Sequence, residues 1–355
     1  MSQGKGLRIK LAAVLVVTVI FLVLALGGVD VEVAVEAVKG FSVVMLVPMV
    51  LCYLAAHMFR SWRLQILLAG EGTAPSYLRV FSINTIGFLA INVMPLRLGE
   101  MVRPYLLWER EKVPLGSALA AVLMERLLDL MALLVMLLGV GFVVDVPTGA
   151  LTVQGIDLVS AGQKTIGTLV GIGVVGAAVV VVVGEPVLAL LRHLPLGDRV
   201  AGLAGRFRDG LRALARRPLR LLLLVGVTTA VWVLTIMGVT SVMAGFAGVP
   251  ATISAAWATW TATITGMTLI PTPGFFGAYE LFCSRALWLF DVDSDVAKAF
   301  AVVLHLGQLS FTGLIGTVFL FVEGLSLRDL VRPVEDPGVD GAAVDAESEV
   351  EVGAG

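Results

Sequence analysis

The chain has 355 residues and a mass of 37.4 kDa, with 58% hydrophobic residues, 15% charged residues, a formal net charge of −2 and a mean hydropathy of +0.97. Soluble domains contain about 45–50% apolar and about 25% charged residues, so no soluble core could bury this much apolar surface. The composition therefore excludes a soluble enzyme, a nucleic-acid-binding protein and a disordered protein, and it indicates that lipid surrounds most of the chain.

The N-terminal segment has the charge pattern of a membrane anchor. Lys5, Arg8 and Lys10 precede an apolar run over residues 11–29. This run is longer than the apolar core of a signal peptide, and no small-x-small cleavage site clearly closes it. We expect it to be retained as a signal anchor.

Apolar runs continue along the chain at lengths that fit the bilayer, which needs about 20 residues per helix. They predict an all-α polytopic membrane protein with about six full spans and two re-entrant helical hairpins. The runs comprise residues 11–29, 41–59, 113–144, 165–184, 221–284 and 299–322.

The positions of lysine and arginine predict the orientation, because cytoplasmic loops retain these residues. Eight arginines lie between Gly184 and Leu221, which places that segment in the cytoplasm. Arg60 and Arg63, with the bases at both ends of the chain, are expected on the same side. We therefore predict a multi-pass protein of the cytoplasmic membrane with both termini in the cytoplasm. The base-poor segments 30–39, 145–164 and 291–298 are expected to be outer loops.

Two stretches do not fit simple crossings. Residues 77–108 begin and end near bases and are predicted to form a hairpin that enters from the cytoplasm and turns near Asn92 and Pro95. Residues 253–289 are predicted to form a hairpin that enters from outside. Its turn holds Pro271, Pro273 and Gly274. Irregular backbone at such depth requires surrounding protein or water.

The two hairpins suggest an inverted repeat, which is the usual architecture of secondary transporters. Pro95 is followed by Gly99 at the same spacing as Pro273 is followed by Gly277. The alternative is that both stretches are ordinary spans with irregular loops.

The predicted organisation is one transmembrane domain over residues 1–332. It comprises a first half (10–184), an amphipathic cytoplasmic linker (185–219) and a second half (220–325). The basic linker is expected to lie on anionic lipids. Residues 333–355 carry seven acids and no base and are expected to be a disordered tail.

Charges inside a predicted span suggest function, because ionisable groups in hydrocarbon are costly. Glu125 and Asp129 are four residues apart and share a helix face, and Arg126 can pair with Asp129. A rise of about 1.5 Å per residue brings Asp129 near the bilayer midplane. The alternative is an internal ion-pair cluster that only holds helices together.

The hairpins add further candidate substrate-binding residues. Asn92, Arg97, Glu100 and Arg103 follow the inner turn, where a half-helix N-terminus and arginine forks suit a phosphate. Arg103 could instead be a rim residue that reaches the headgroups. Glu280 and Arg285 are the charges of the outer hairpin and are expected to serve an outer gate.

We expect no cofactor and no metal site. Cys52 and Cys283 are the only cysteines, and the three histidines lack the spacing of metal ligands. For His305, which has Gln308 three residues later, a proton relay is an alternative to simple packing.

Three motifs in order resemble the lysylphosphatidylglycerol synthase transmembrane-region family over about residues 10–325. They are Asn92-x-x-Pro95-x-Arg97-x-Gly99-Glu100-x-x-Arg103, then Glu125-Arg126-x-x-Asp129, then Pro271-x-Pro273-Gly274-x-x-Gly277-x-x-Glu280. One position departs from the family pattern, whose outer turn usually has two adjacent glycines, because Phe275 replaces the second.

The resemblance implies translocation of a lipid between leaflets by a flippase-like domain, without the synthase domain to which it is fused in some relatives. Implied substrates are aminoacyl-phosphatidylglycerol, a polyprenyl-phosphate-linked lipid or a hopanoid. The alternatives are an intramembrane lipid-modifying enzyme and a non-transporting partner of a glycosyltransferase or lipid synthase. We expect a transporter that is not an enzyme and has no nucleic-acid partner. The sequence leaves open whether the protein forms a homo-oligomer.

Overall fold

The computed structural model describes residues 18–70, 75–94, 99–143, 217–270 and 272–326, together with a few short pieces between and before these ranges. The described residues are helical apart from turns and two paired strands of two residues each. The strands are Thr152–Val153 and Ile156–Asp157, which run antiparallel with Thr152 opposite Asp157. The predicted all-α class is confirmed.

The helices of the main described ranges are numbered here in chain order. They are α1 (Thr18–Leu26), α2 (Val31–Lys39), α3 (Leu46–Gly70), α4 (Tyr77–Val93), α5 (Val102–Glu111), α6 (Leu115–Val143), α7 (Pro218–Met243), α8 (Ile253–Leu269), α9 (Ala278–Leu287) and α10 (Ser294–Val322).

Local sequence signals start several of these helices. Asp30 accepts hydrogen bonds from the backbone N–H groups of Glu32 and Val33 at the start of α2. Thr252 caps α8 and Asp293 caps α10 in the same way. Such side-chain acceptors satisfy backbone donors that have no partner inside the helix.

Three of the described helices are long and apolar enough to cross a membrane. They are the segments Val43–Ala69, Pro218–Met243 and Ser294–Val322. A fourth span results if α1 and α2 count as one, although they are bent by 84°. The protein is therefore a multi-pass helical membrane protein. The predicted linker (185–219), except for its last few residues, and the predicted tail (333–355) lie outside the described residues, as does most of the predicted span 165–184.

Two groups of four helices have closely matching lengths. Helices α4 and α8 have 17 residues each, α5 and α9 have 10 each, and α6 and α10 have 29 each. The α3 helix has 25 residues and α7 has 26. The packing matches as well, because α3 lies against α7, α4 against α10, and α8 against α6.

Both predicted hairpins form pairs of packed helices. Helices α4 and α5 are in contact on either side of the inner turn, and α8 and α9 are in contact on either side of the outer turn. In the outer turn, Gly277 has a φ of 83°, and an added Cβ would lie 2.5 Å from the backbone nitrogen of Leu22 in α1. Glycine is thus required there both by conformation and by the close approach of α1.

Phe275 lies at the position where the sequence departs from the expected pair of glycines. Its φ is 62°, next to Gly274 at 56°. Left-handed backbone costs a residue with a side chain about 1–2 kcal/mol, whereas glycine adopts it freely. The backbone of the turn therefore keeps the glycine conformation although the side chain is a phenylalanine.

Helical structure extends past two boundaries predicted from charge. The second span was expected to end before Arg60, with Arg60 and Arg63 in a cytoplasmic loop, but α3 continues through both to Gly70. The predicted outer loop 30–39 forms the helix α2 over most of its length. In α3 the ion pair of Arg63 with Glu125 compensates a charge inside the helix, and the charged residues of α2 are exposed.

Candidate functional site

Glu125 is the centre of a buried ion network that also contains Arg63, Arg103 and Asp129. Arg63 Nη2 donates to Glu125 Oε1 at 3.1 Å, and Arg103 Nη1 donates to Glu125 Oε2 at 2.8 Å. The side chains of Arg63, Arg103 and Glu125 are 0% exposed. Each carboxylate oxygen of Glu125 thus has its own arginine, which compensates its removal from water.

The network joins five helices. Arg63 of α3 also donates to Asp129 Oδ1 of α6 at 2.7 Å and to Thr228 Oγ1 of α7 at 3.2 Å. Arg103 of α5 donates to Asn84 Oδ1 of α4 at 3.1 Å. These bonds tie the inner hairpin to the three long helices beside it.

Gly87 provides the space in which the Arg103 side chain lies. A Cβ added at Gly87 would lie 2.1 Å from Arg103 Cγ and 2.6 Å from its Cδ. Because the aliphatic part of Arg103 occupies the surface of α4 at this point, any larger residue would push the guanidinium away from Glu125.

We therefore expect Gly87→Ala to destabilise the protein by about 1–3 kcal/mol through overpacking. The measurement is reversible unfolding of the purified protein in mixed micelles. Gly226→Ala in α7 is the matched control, since nothing lies within 4 Å of its Cβ position and alanine favours helix. Equal stability of the two variants would contradict the assigned packing of Arg103.

A cavity of about 500 Å³, with charged, aromatic and apolar side chains in its wall, lies beside the network. Helices of both four-helix groups contribute to it, and so does the outer turn. Its polar and aromatic lining comprises Tyr53, His57, Arg60, Phe88, Asn92, Glu100, Arg126, Asp129, Trp232, Trp260, Thr268, Phe275, Tyr279, His305, Gln308 and Thr312. This volume lies within the usual range of ligand sites, about 300–1,000 Å³.

The charged wall of the cavity contains two arginines with spare hydrogen-bonding capacity. Arg126 Nη2 lies 3.7 Å from Asp129 Oδ2, and its side chain is 34% exposed. Arg60 is half-buried over the ring of Phe88, at 5.3 Å from its centroid. Among the described residues no carboxylate lies within ion-pairing distance of Arg60.

His305 also lines the cavity, and it forms an imidazole–carboxylate pair with Glu280 behind the wall. His305 Nδ1 lies 2.6 Å from Glu280 Oε1, and the other oxygen of Glu280 accepts the backbone N–H of Gly277 at 2.6 Å. The His305 ring stacks on Tyr279 with centroids 4.1 Å apart and planes 4° apart. Gln308 donates to the Tyr53 hydroxyl beside them.

Several polar atoms on the lining side chains have no hydrogen-bond partner within the described part of the chain. They include His57 Nδ1, Arg126 Nε, Trp232 Nε1, Trp260 Nε1 and His305 Nε2. Leaving such atoms buried without a partner costs about 1–3 kcal/mol each. Their concentration around one cavity favours a wall that is completed by a polar ligand.

The structure divides the predicted site residues into four sets. Asn92, Glu100, Arg126 and Asp129 line the cavity. The second set, Arg103, Glu125 and Glu280, is buried behind the cavity wall. Arg285 lies apart from Glu280, with its guanidinium 3.8 Å from the centre of the Trp288 ring. Arg97, together with the turn residues Pro95 and Pro271, lies outside the described residues.

The predicted turn residues that are described do bring backbone segments together. An added Cβ at Gly99 would lie 2.3 Å from the backbone of α4 at Ala90 and Ile91. The predicted pair of Arg126 and Asp129 is present in α6. Arg285 does not contact Glu280, whose two oxygens bind His305 and the backbone of Gly277, and the expected role of both residues at an outer gate stays a prediction.

Sequence reasoning missed Arg60 and Arg63 as site residues, because bases were assigned to loops. A signal was available, since Leu64, Ile66, Leu67 and Leu68 continue the apolar pattern past Arg63. Sequence reasoning also missed the aromatic side chains that line the cavity. Trp232 and Trp260 carry no spacing that distinguishes them from ordinary apolar residues of a span.

Metal ligation has no support in the described ranges, where no group of three or more histidine, cysteine, aspartate or glutamate side chains could hold a metal ion. Cys52 and Cys283 are free thiols.

Long apolar helices around a buried ion network and a polar cavity define a multi-pass membrane protein with an internal polar site. The family model described as lysylphosphatidylglycerol synthase TM region matches residues 10–316, so the chain belongs to that family. The resemblance found from the motifs is thereby confirmed. No curated protein and no solved structure matches the sequence.

Proposed function

We propose that this protein is a lipid transporter that moves a phosphate-bearing or otherwise polar-headed lipid between the leaflets of the cytoplasmic membrane without changing it chemically. The family relates to membrane lipids. The observation that carries the proposal is the cavity of about 500 Å³ with Arg60 and Arg126 in its wall.

The two arginines support an anionic headgroup as ligand. Guanidinium groups bind phosphate oxygens through two parallel hydrogen bonds, and such charge-assisted bonds are about twice as strong as neutral ones. Arg63 and Arg103 bind Glu125 and do not line the cavity, whereas Arg60 and Arg126 are in its wall. In this proposal the ion network stabilises the fold, and Arg60 and Arg126 bind the headgroup.

The matching helix lengths support an inverted repeat, with α3–α6 as one unit and α7–α10 as the other. Transporters built in this way bind their substrate between the repeats near the bilayer midplane. Here the cavity is lined from both units, which is the arrangement that this architecture requires. The hairpins α4–α5 and α8–α9 would then be the re-entrant elements, entering from opposite sides, with both termini in the cytoplasm.

The lipid tails would stay in the bilayer during transport. The outer surfaces of the long helices are apolar, with exposed side chains such as Leu51, Met58, Leu222 and Val318. Only the headgroup needs a polar route, so a cavity of headgroup size is sufficient. Candidate headgroups are aminoacyl-phosphatidylglycerol, a polyprenyl-phosphate-linked group and a hopanoid headgroup.

Reconstitution of the purified full-length chain in liposomes tests the proposal. Native mass spectrometry first identifies the co-purified lipid, and a fluorescent analogue of it then reports leaflet exchange against protein-free vesicles. We expect exchange well above the protein-free rate and a lipid that chromatography shows to be unchanged. A modified lipid would support the intramembrane enzyme, and tight lipid binding without exchange would support the non-transporting partner.

A further inference from the structure

His305 and Glu280 form an ionisable pair beside the cavity, and neither residue belongs to the ion network around Glu125. The two side chains are 3% and 4% exposed and lie 2.6 Å apart. His305 faces Glu280 with Nδ1, while its Nε2 has no hydrogen-bond partner among the described residues. Since a carboxylate accepts hydrogen bonds, we assign a proton to Nδ1, which leaves the Nε2 lone pair free to take up a second proton.

His305 occupies a position in α10 that corresponds to the position of Arg126 in α6. His305 and Gln308 are the twelfth and fifteenth residues of α10, and Arg126 and Asp129 are the twelfth and fifteenth residues of α6, which is equally long. All four side chains line the cavity. A permanently charged pair in one helix thus corresponds to a titratable residue and an amide in the other.

The surroundings offer His305 no other carboxylate on its own wall among the described residues. The α3 helix presents Tyr53, His57 and Arg60, and α9 presents Tyr279 and Cys283. Across the cavity, α6 presents Arg126 and Asp129, and the inner turn presents Glu100. Helices α7 and α8 line the cavity with Trp232, Trp260 and apolar or hydroxyl side chains. Charged residues of α2, which packs on α10, are exposed.

We propose that the His305–Glu280 pair is a proton-binding site whose protonation is coupled to binding of an anionic headgroup in the same cavity. This inference rests on the proposed function, because it names the ion that accompanies the headgroup. With His305 neutral the pair carries the single negative charge of Glu280. With a proton on Nε2 the pair is neutral, and the ring gains an N–H donor.

The sign of the coupling follows from these charges. Protonation removes one negative charge beside the cavity and therefore strengthens the binding of an anion. By linkage, a bound anion strengthens proton binding by the same factor. Imidazole is the side chain that ordinarily changes its charge between about pH 5 and 8. Headgroup affinity should thus rise as the pH falls, with proton uptake when the headgroup binds.

Calorimetric titration of the detergent-solubilised full-length protein with dioctanoyl phosphatidylglycerol tests the coupling. The phosphodiester keeps one fixed charge near neutral pH, so a proton taken up on binding belongs to the protein. Comparison of two buffers with different ionisation enthalpies gives the number of protons. For the wild-type protein we expect uptake of about half a proton near pH 7 and on the order of tenfold tighter binding at pH 6 than at pH 8.

Two variants assign the proton to the pair. Glu280→Gln and His305→Gln should each lose the proton uptake and flatten the pH dependence, whereas Glu36→Gln, at an exposed position of α2, should behave as wild type. Even if a variant fails to fold, headgroup binding by the wild-type protein without proton uptake overturns the inference. Headgroup binding without proton uptake, or uptake that persists in both variants, would overturn the inference.

The liposome assay separates this inference from the proposed function. If leaflet exchange is unaffected by pH and headgroup binding takes up no proton, the protein is a transporter without this proton coupling. If headgroup binding takes up a proton but no leaflet exchange occurs, the proton site is supported and the transport function is contradicted. If neither phosphatidylglycerol nor inorganic phosphate binds, the proton coupling to an anionic headgroup fails, and leaflet exchange of the co-purified lipid decides the transport function separately.

Discussion

Replacing Arg126 by alanine is expected to lower lipid exchange about 100-fold while the protein stays folded in the membrane. Losing one partner of a desolvated charge pair with a phosphate costs about 2–5 kcal/mol, and each 1.4 kcal/mol is a factor of about ten. The fold should persist because Asp129 keeps its bond to Arg63 at 2.7 Å. The measurement is leaflet exchange in liposomes that contain equal amounts of folded protein.

Two further variants make the Arg126 experiment specific. Arg126→Lys keeps the charge but loses the planar fork and should retain partial exchange. Arg110→Ala removes an arginine that is 42% exposed in α5 and should leave exchange unchanged. Wild-type exchange by Arg126→Ala would remove Arg126 from the headgroup path.

Glu125→Gln should act on the fold rather than on the ligand. Its loss leaves Arg63 and Arg103 buried with one charge fewer to compensate them, and breaking a buried pair in this way costs about 3–5 kcal/mol. We expect a large fall in the free energy of unfolding in mixed micelles, together with low recovery from membranes.

The control for Glu125 is Glu109→Gln in α5. Glu109 is 39% exposed and lies 3.9 Å from Arg110, and such surface pairs contribute about 0–1 kcal/mol. Asp129→Asn should fall between the two, since Asp129 is 19% exposed and Arg63 keeps its bond to Glu125. If Glu125→Gln were as stable as Glu109→Gln, the ion network would not hold the helices together.

The charges of α6 were predictable because helical spacing alone determines which side chains share a face. Glu125 and Asp129 both contact Arg63, and Arg126 pairs with Asp129, as the spacing requires. The turns were predictable for a similar local reason, since proline and glycine restrict or free the backbone wherever they occur.

The partners of those charges were not predictable by counting charges. Counting charges places the end of a membrane span at each base. A carboxylate on another helix can instead stabilise an arginine inside the span. Arg63 and Glu125 are separated by 62 residues. No periodicity connects them, and only the packing of α3 against α6 shows that they meet. The pair of His305 and Glu280 depends on tertiary contact in the same way.

The separation of Arg63 from its carboxylates has a consequence for how the chain is made. During synthesis α3 leaves the ribosome with Arg60 and Arg63 while α6 has not yet been translated, and insertion of an arginine at the centre of a helix costs about 2.5–3.5 kcal/mol. Until Glu125 and Asp129 are translated, Arg63 therefore lacks the carboxylates that bind it in the finished structure. Substitutions of Glu125 or Asp129 would then lower the amount of correctly inserted protein, in addition to the stability of protein that has already folded.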